Sequence, residues 1–109
     1  MRIEIRARNT TVTDSLRAHV EKTFANVSKQ VSELAQLDVE LIEEKNRSMV
    51  NSKVAEATLR LKGVTLRARE SSTDLQHSVD LVADKLTRQV KRHRDKRRAR
   101  RERATEATP

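Results

Sequence analysis

Residues capable of covalent or metal chemistry are few in this chain and poorly spaced for it. The three histidines, His19, His77 and His93, lie far apart along the 109 residues. No two have the spacing of metal ligands, and none stands beside a nucleophile. There is no cysteine, which excludes thiol nucleophiles, zinc ribbons and disulfide frameworks. Glu43 and Glu44 are adjacent at the end of a strand pattern, so they point to opposite sides and cannot share a proton. With Glu40 they read as surface charge. A single glycine leaves no phosphate-cradling loop. We therefore expect no enzyme, no metal and no cofactor, and a solvated surface position for each histidine.

What remains is positive charge. The chain carries 24 Lys+Arg against 16 Asp+Glu, a formal net charge of +8. Nine of those basic residues stand between Lys91 and Pro109, among three acids, while the preceding body is nearly balanced. A block of this kind neutralises phosphates and releases counterions, which points to a polyanion partner. The bland alternative is a solvated arm that maintains solubility. Lys85, Arg88, Arg92 and Lys96 recur at three, four and four, so on a helix they form one basic stripe. Asp84 stands where it can pair with Arg88. Arg17, Lys22 and Lys29 are weaker candidates on an earlier helix. The sheet pattern adds Arg2, Arg6, Arg8, Arg60, Arg67 and Arg69, set against Glu4, Glu40 and Glu56. The only aromatic residue is Phe24. The sheet face is either a binding face or simply solvated. Sheet readers of single-stranded RNA stack bases on Phe or Tyr, so the missing aromatics argue against base stacking and favour a protein that reads phosphates, sugars and the shape of folded RNA.

These side chains need a scaffold, and the apolar pattern supplies one. Residues 2–8 alternate strictly, with Ile3, Ile5 and Ala7 on one side, as a half-buried strand does. Thr13 is a candidate N-cap, followed by the stripe Leu16, Val20, Phe24, Val27 and Val31 of a helix ending near Ser28–Ser32. Leu37, Val39 and Leu41 alternate as a second strand; Glu43 to Asn51 reads as a loop. Ala55 to Leu61 and Val64 to Arg69 alternate on either side of Gly63, a hairpin. Thr73 to Gln76 has the capping-box form ahead of a second helix whose stripe is Leu75, Val79, Val82, Leu86 and Val90. That helix is expected to project past the core and fray before Thr105, with 104–109 disordered. The fold class is α+β, in the order β-α-β-β-β-α: a four-stranded mixed sheet with two helices packed on one face. At this length and 35% hydrophobic content a single domain is expected. The charged start of the chain excludes a secretory signal there, and no apolar run approaches the ~20 residues of a membrane helix. A reducing, cytoplasmic location and no membrane contact are expected.

In that order the residues resemble the ribosome hibernation-promoting factor and ribosome-associated inhibitor family, from about Arg2 to Lys96. The resemblance rests on Asn9 with Val12-Thr13, Leu16-Arg17 and Val20, on Val39 to Lys45, on Glu56 to Leu59 before Gly63, and on Asp74-Leu75. Its most specific stretch runs from Asp84 to Lys96: a Lys-Leu-x-Arg-Gln run into a basic His-basic-Asp-Lys tail. The resemblance implies a fold similar to double-stranded-RNA-binding domains. It also implies binding to the small ribosomal subunit and its rRNA in the mRNA/tRNA channel, at the A- and P-site region. Occupancy there competes with mRNA and tRNA, blocks translation and stores idle ribosomes. The rRNA-binding set it implies is Arg17, Lys22, Lys85, Arg88, Lys91, Arg92, Arg94, Lys96 and Arg97. Residues 1–96 would be the ribosome-binding domain and 97–109 a basic, frayed or disordered extension. Gln76 stands where the family usually has Tyr. The Arg-rich end is expected either to close a short form or to open the linker of a long form with a dimerisation domain; without that domain a monomer is expected. A generic double-stranded-RNA-binding module and a protein-interaction domain with an acidic partner are the alternatives.

Overall fold

The computed structural model describes residues 1–45 and 50–106. Its elements are β1 (Arg2–Arg8), α1 (Asp14–Thr23), α2 (Ala25–Gln30), β2 (Gln36–Glu43), β3 (Lys53–Leu61), β4 (Val64–Ser72) and α3 (Leu75–Glu106). The sheet order is β1-β2-β3-β4, with β1 and β2 parallel and the other pairs antiparallel. The α+β class and the mixed sheet agree with the alternation read from sequence. The loop expected over Glu43 to Asn51 begins later, because β2 continues through Glu43; residues 46–49 lie outside the described set.

Register explains the core. Ile3, Leu37, Leu59 and Leu66 form one cross-sheet row, and Ile5, Val39, Ala57 and Ala68 the next. Because side chains alternate faces, both rows point to the same side. There they meet Leu16, Val20, Phe24 and Val27 from the first helical layer and Val79, Val82, Leu86 and Val90 from α3 in one buried cluster. Each fully buried Val or Leu contributes about 1.5–3 kcal/mol through removal from water. One apolar pair departs from the pattern: Ile42 and Val54 face each other on the opposite side of the sheet, yet both are buried.

The helix read as one piece is divided at Phe24, whose φ −89° and ψ 4° leave the helical range. The ladder still spans the division, because Phe24 N–H donates to the Val20 carbonyl at 3.0 Å and Ser28 N–H to the Phe24 carbonyl at 3.1 Å. The apolar stripe therefore stays continuous. Thr13 caps α1 as expected, its Oγ1 accepting from Leu16 N–H at 3.1 Å. Asn9, at φ +60°, ends β1 in a left-handed conformation that Asn tolerates better than most residues.

The start of α3 differs from the capping box read at Thr73. Strand β4 runs on to Ser72, and the residue accepting from Gln76 N–H is Asp74, through Oδ1 at 3.4 Å. The cause is a buried hydroxyl pair. Ser78 Oγ lies 2.6 Å from Ser72 Oγ and donates to the Lys53 carbonyl at 2.6 Å. Ser78 is fully buried, so this link fastens the first turn of α3 to the start of β3 and the end of β4. From that anchor α3 runs 32 residues, about 48 Å at 1.5 Å per residue. Val90 is its last buried apolar residue, so Lys91 to Glu106 project about 24 Å beyond the core. The helix therefore includes most of the segment 97–109 read as an extension.

Candidate nucleic-acid interface

Three surfaces carry the arginines and lysines, and their ion pairs separate them. On the outer sheet face the charges cancel locally. Glu4 lies between Arg2 and Arg6, at 3.4 and 3.6 Å. Arg8 pairs with Glu40 at 3.6 Å and Arg60 with Asp38. Arg69 reaches both Glu44 and Glu56, at 3.2 and 3.3 Å. The register causes this, since Arg6, Glu40, Glu56 and Arg69 form one continuous cross-strand row. Of the arginines on this face only Arg67 makes no ion pair among the described residues, so the face presents little net field to a polyanion.

The second surface is the flank of α3 toward β4. Lys85 donates to Glu70 Oε1 at 3.3 Å, and Arg88 donates to Asp84 Oδ2 at 2.9 Å, one turn back on the same helix. Gln89 Nε2 donates to the Arg67 carbonyl at 2.8 Å and holds this flank against the sheet edge. Lys85 and Arg88 thus begin the basic stripe but are already partnered. Such exposed pairs contribute only about 0–1 kcal/mol, so a phosphate can displace the carboxylate.

The third surface is the projecting part of α3. Among the described residues, Lys91, Arg92, Arg94, Lys96 and Arg97 are exposed and make no ion pair. Arg88, Lys91, Arg92, Asp95, Lys96 and Ala99 border a shallow depression along one side of the helix. At 100° per residue, Arg92 and Lys96 extend the Lys85–Arg88 flank, Lys91 stands beside Arg88 at the edge of that flank, and Arg94 lies on the opposite one. Arg17 and Lys22 are not gathered with the Lys85 stripe. They ride on α1, which meets α3 on its Asp80 side through His19 Nε2 and Asp80 Oδ1, 2.7 Å apart. That contact also corrects the reading of His19: its side chain is 26% exposed and bridges two helices rather than standing free in solvent. His93 is likewise half-buried; His77 is exposed as expected.

No group of three or more His, Cys, Asp or Glu able to hold a metal occurs among the described residues. No helix among the described residues is long and apolar enough to cross a membrane. What the described geometry offers is an anchored sheet-and-helix body carrying a long helix whose far half is cationic on both flanks. The first turn of that helix is fastened to the body by the Ser72–Ser78 link.

Residues 3–98 match the family model described as sigma 54 modulation protein / S30EA ribosomal protein, and the chain belongs to this family. Among curated relatives, a ribosome hibernation promotion factor of Picosynechococcus is 33% identical over 97 residues, covering 88% of this chain and 50% of that protein. One from Staphylococcus aureus is 34% identical over 94 residues, covering 86% and 48%. The chain thus spans about half the length of the curated relatives it matches. The N-terminal domain of Thermus thermophilus Protein Y superimposes with a TM-score of 0.73 at 30% identity, covering 85% of this chain and 99% of that one. A ribosomal subunit interface protein of Coxiella burnetii shares the fold, with a TM-score of 0.74 at 22% identity over 87% and 99%.

Proposed function

We propose that this chain is the ribosome-binding part of a hibernation factor. It seats on small-subunit rRNA in the mRNA/tRNA channel, at the A- and P-site region, and blocks translation by occupancy. The observation that carries the reading is the set of exposed cations on the projecting half of α3, Lys91, Arg92, Arg94, Lys96 and Arg97, which make no ion pair among the described residues. A rod about 24 Å long with cations on both flanks can enter a channel walled by phosphate and contact both sides. The names of the relatives, ribosome hibernation promotion factors, supply the ribosome.

In this reading Lys91, Arg92, Arg94, Lys96 and Arg97 contact phosphates directly. Lys85 and Arg88 join by exchanging Glu70 and Asp84 for phosphate, and Arg17 and Lys22 form a secondary contact from α1. The sheet face stays outside the RNA. No bond is made or broken, and no cofactor takes part; inhibition is exclusion of mRNA and tRNA from the space the protein fills.

Co-sedimentation with purified small subunits at moderate salt tests this, with excess tRNA or a generic RNA duplex as competitor. The expected result is saturable binding near one per subunit, displaced by tRNA and not by duplex. Equal displacement by both would replace the reading with a generic double-stranded-RNA binder, and binding insensitive to both would remove the channel.

A further inference from the structure

One face of α3 changes character along its length. Leu86, Val90, His93, Arg97 and Arg100 share it, by the 100° step. Through Val90 this face is core. Beyond Val90 it overhangs the end of the sheet, and there a groove of about 650 Å³ opens beneath it. Val31, Leu34 and Leu61 form its apolar side, and His93, Arg94 and Arg97 its helical side. None of the described residues lining it is acidic. Leu34 is 94% exposed, an apolar side chain left in water at the groove's mouth. The volume falls within the ~300–1,000 Å³ of sites that enclose a small ligand.

We propose that this groove seats a single nucleotide extruded from folded RNA, an inference that rests on the RNA-binding reading above and names what its surface selects. A nucleobase has two apolar faces, a polar edge and a phosphate on either side. The groove offers each a counterpart. Leu34 and Leu61 pack against a base face, and the planar imidazole and guanidinium groups of His93 and Arg97 stack on it. RNA readers use His and Arg planes for this purpose as well as aromatic rings. Gln30 and Gln36 also line the groove. Gln36 stands in the outer-face row with Arg60 and its Nε2 donates to Asp38 Oδ1 at 3.2 Å, so Gln30 is the amide left for a base edge. Arg94 and Arg97 belong at once to the groove and to the cationic half of α3, so a backbone lying along that helix delivers its nucleotide directly into the groove. An acidic peptide would match the cations, but that continuity with the phosphate track favours RNA.

The consequence is selectivity for folded RNA carrying unpaired nucleotides over uniform duplex. The test compares a short RNA hairpin bearing one bulged 2-aminopurine with the same hairpin fully paired, by titration with the full chain. The bulged hairpin is expected to bind about ten-fold tighter, the scale of one stacked base, with a change in 2-aminopurine emission. In the double variant Leu34→Ser/His93→Ala the preference should fall to about one, with the paired hairpin still bound. Equal affinity for the two hairpins would overturn the groove assignment while leaving RNA binding intact. A preference that persists in the double variant would overturn it too. Displacement of the bulged base by a poly-glutamate peptide, with the paired hairpin still bound, would reassign the groove to an acidic protein segment. Failure of both hairpins to bind at low salt, where phosphate contacts are strongest, would instead bring down the RNA-binding reading itself.

Discussion

The division between partnered and unpartnered cations on α3 leads to a quantitative expectation. Consider Lys91→Ala/Arg92→Ala/Lys96→Ala against Lys85→Ala/Arg88→Ala. Alanine favours helix, so neither set breaks α3. The first set removes three cations that make no ion pair among the described residues. On a double-helical rRNA site each lost phosphate contact lowers the log–log salt slope by ~0.9, about 2.7 for three. Over a fourfold rise in salt the variant then loses about 40-fold less affinity than the parent chain. The second set removes cations held by Glu70 and Asp84, at 3.3 and 2.9 Å. Each partner carboxylate already offsets the field of its cation, so the slope should fall by less than about 1 for the pair rather than the ~1.8 of two free contacts. The assay is fluorescence anisotropy of the labelled protein with small subunits across a salt series, with circular dichroism to check that helix content is unchanged. Equal slope changes per residue in the two sets would refute the reasoning from ion pairing. An unchanged slope in the first set would remove those residues from the interface.

Other expectations concern the frame that holds the helix. Ser78→Ala leaves the Lys53 carbonyl without its buried donor and should cost about 1–3 kcal/mol in urea unfolding; no loss would mean the hydroxyl link does not anchor α3. Leu86→Ala opens a cavity in the fully buried layer and should cost about 2–5 kcal/mol, whereas Leu34→Ala should change stability by less than ~0.5. Gly63→Ala meets no atom within 4 Å but forces alanine to φ +79°, so a loss of about 1–2 kcal/mol from backbone alone is expected by thermal unfolding. Ala99→Gly should weaken subunit binding about five-fold if the extension binds as a helix, matching its ~1 kcal/mol propensity cost; unchanged binding would mean the extension engages RNA in another conformation.

Strand and helix positions were legible where one face of an element carries the whole signal. Residues 2–8 and 64–69 alternate, and Leu75 to Val90 repeat at helical spacing, so the core could be named from the sequence. The division at Phe24 was not, because neither glycine nor proline marks it and the apolar stripe runs through. The cap moved from Thr73 to Asp74 because a tertiary link decides it: Ser72 is kept in β4 by Ser78, six residues away in sequence and packed against it in space. The site divides in the same way. The cationic extension is a local property of composition and was read directly. The pairing of Arg88 with Asp84 follows from one-turn spacing and was read as well. Lys85 finding Glu70 on β4, and His19 finding Asp80 on α3, required the fold. The groove was least legible, since Leu34, Leu61 and Arg97 come from three separate segments and meet only where α3 outruns the sheet.

In the proposed complex the projecting half of α3 lies in the small-subunit channel while the sheet face lies outside it. The chain has no cysteine, so a single introduced one gives a unique attachment point for a hydroxyl-radical source. Ala99→Cys places it on the extension and Thr65→Cys on the exposed outer sheet face. Bound to small subunits, the Ala99 probe should cut rRNA around the A- and P-sites and the mRNA path, and the Thr65 probe should cut there weakly or not at all. Cuts scattered over the subunit from both positions, or concentrated in the channel from Thr65 alone, would contradict the central claim.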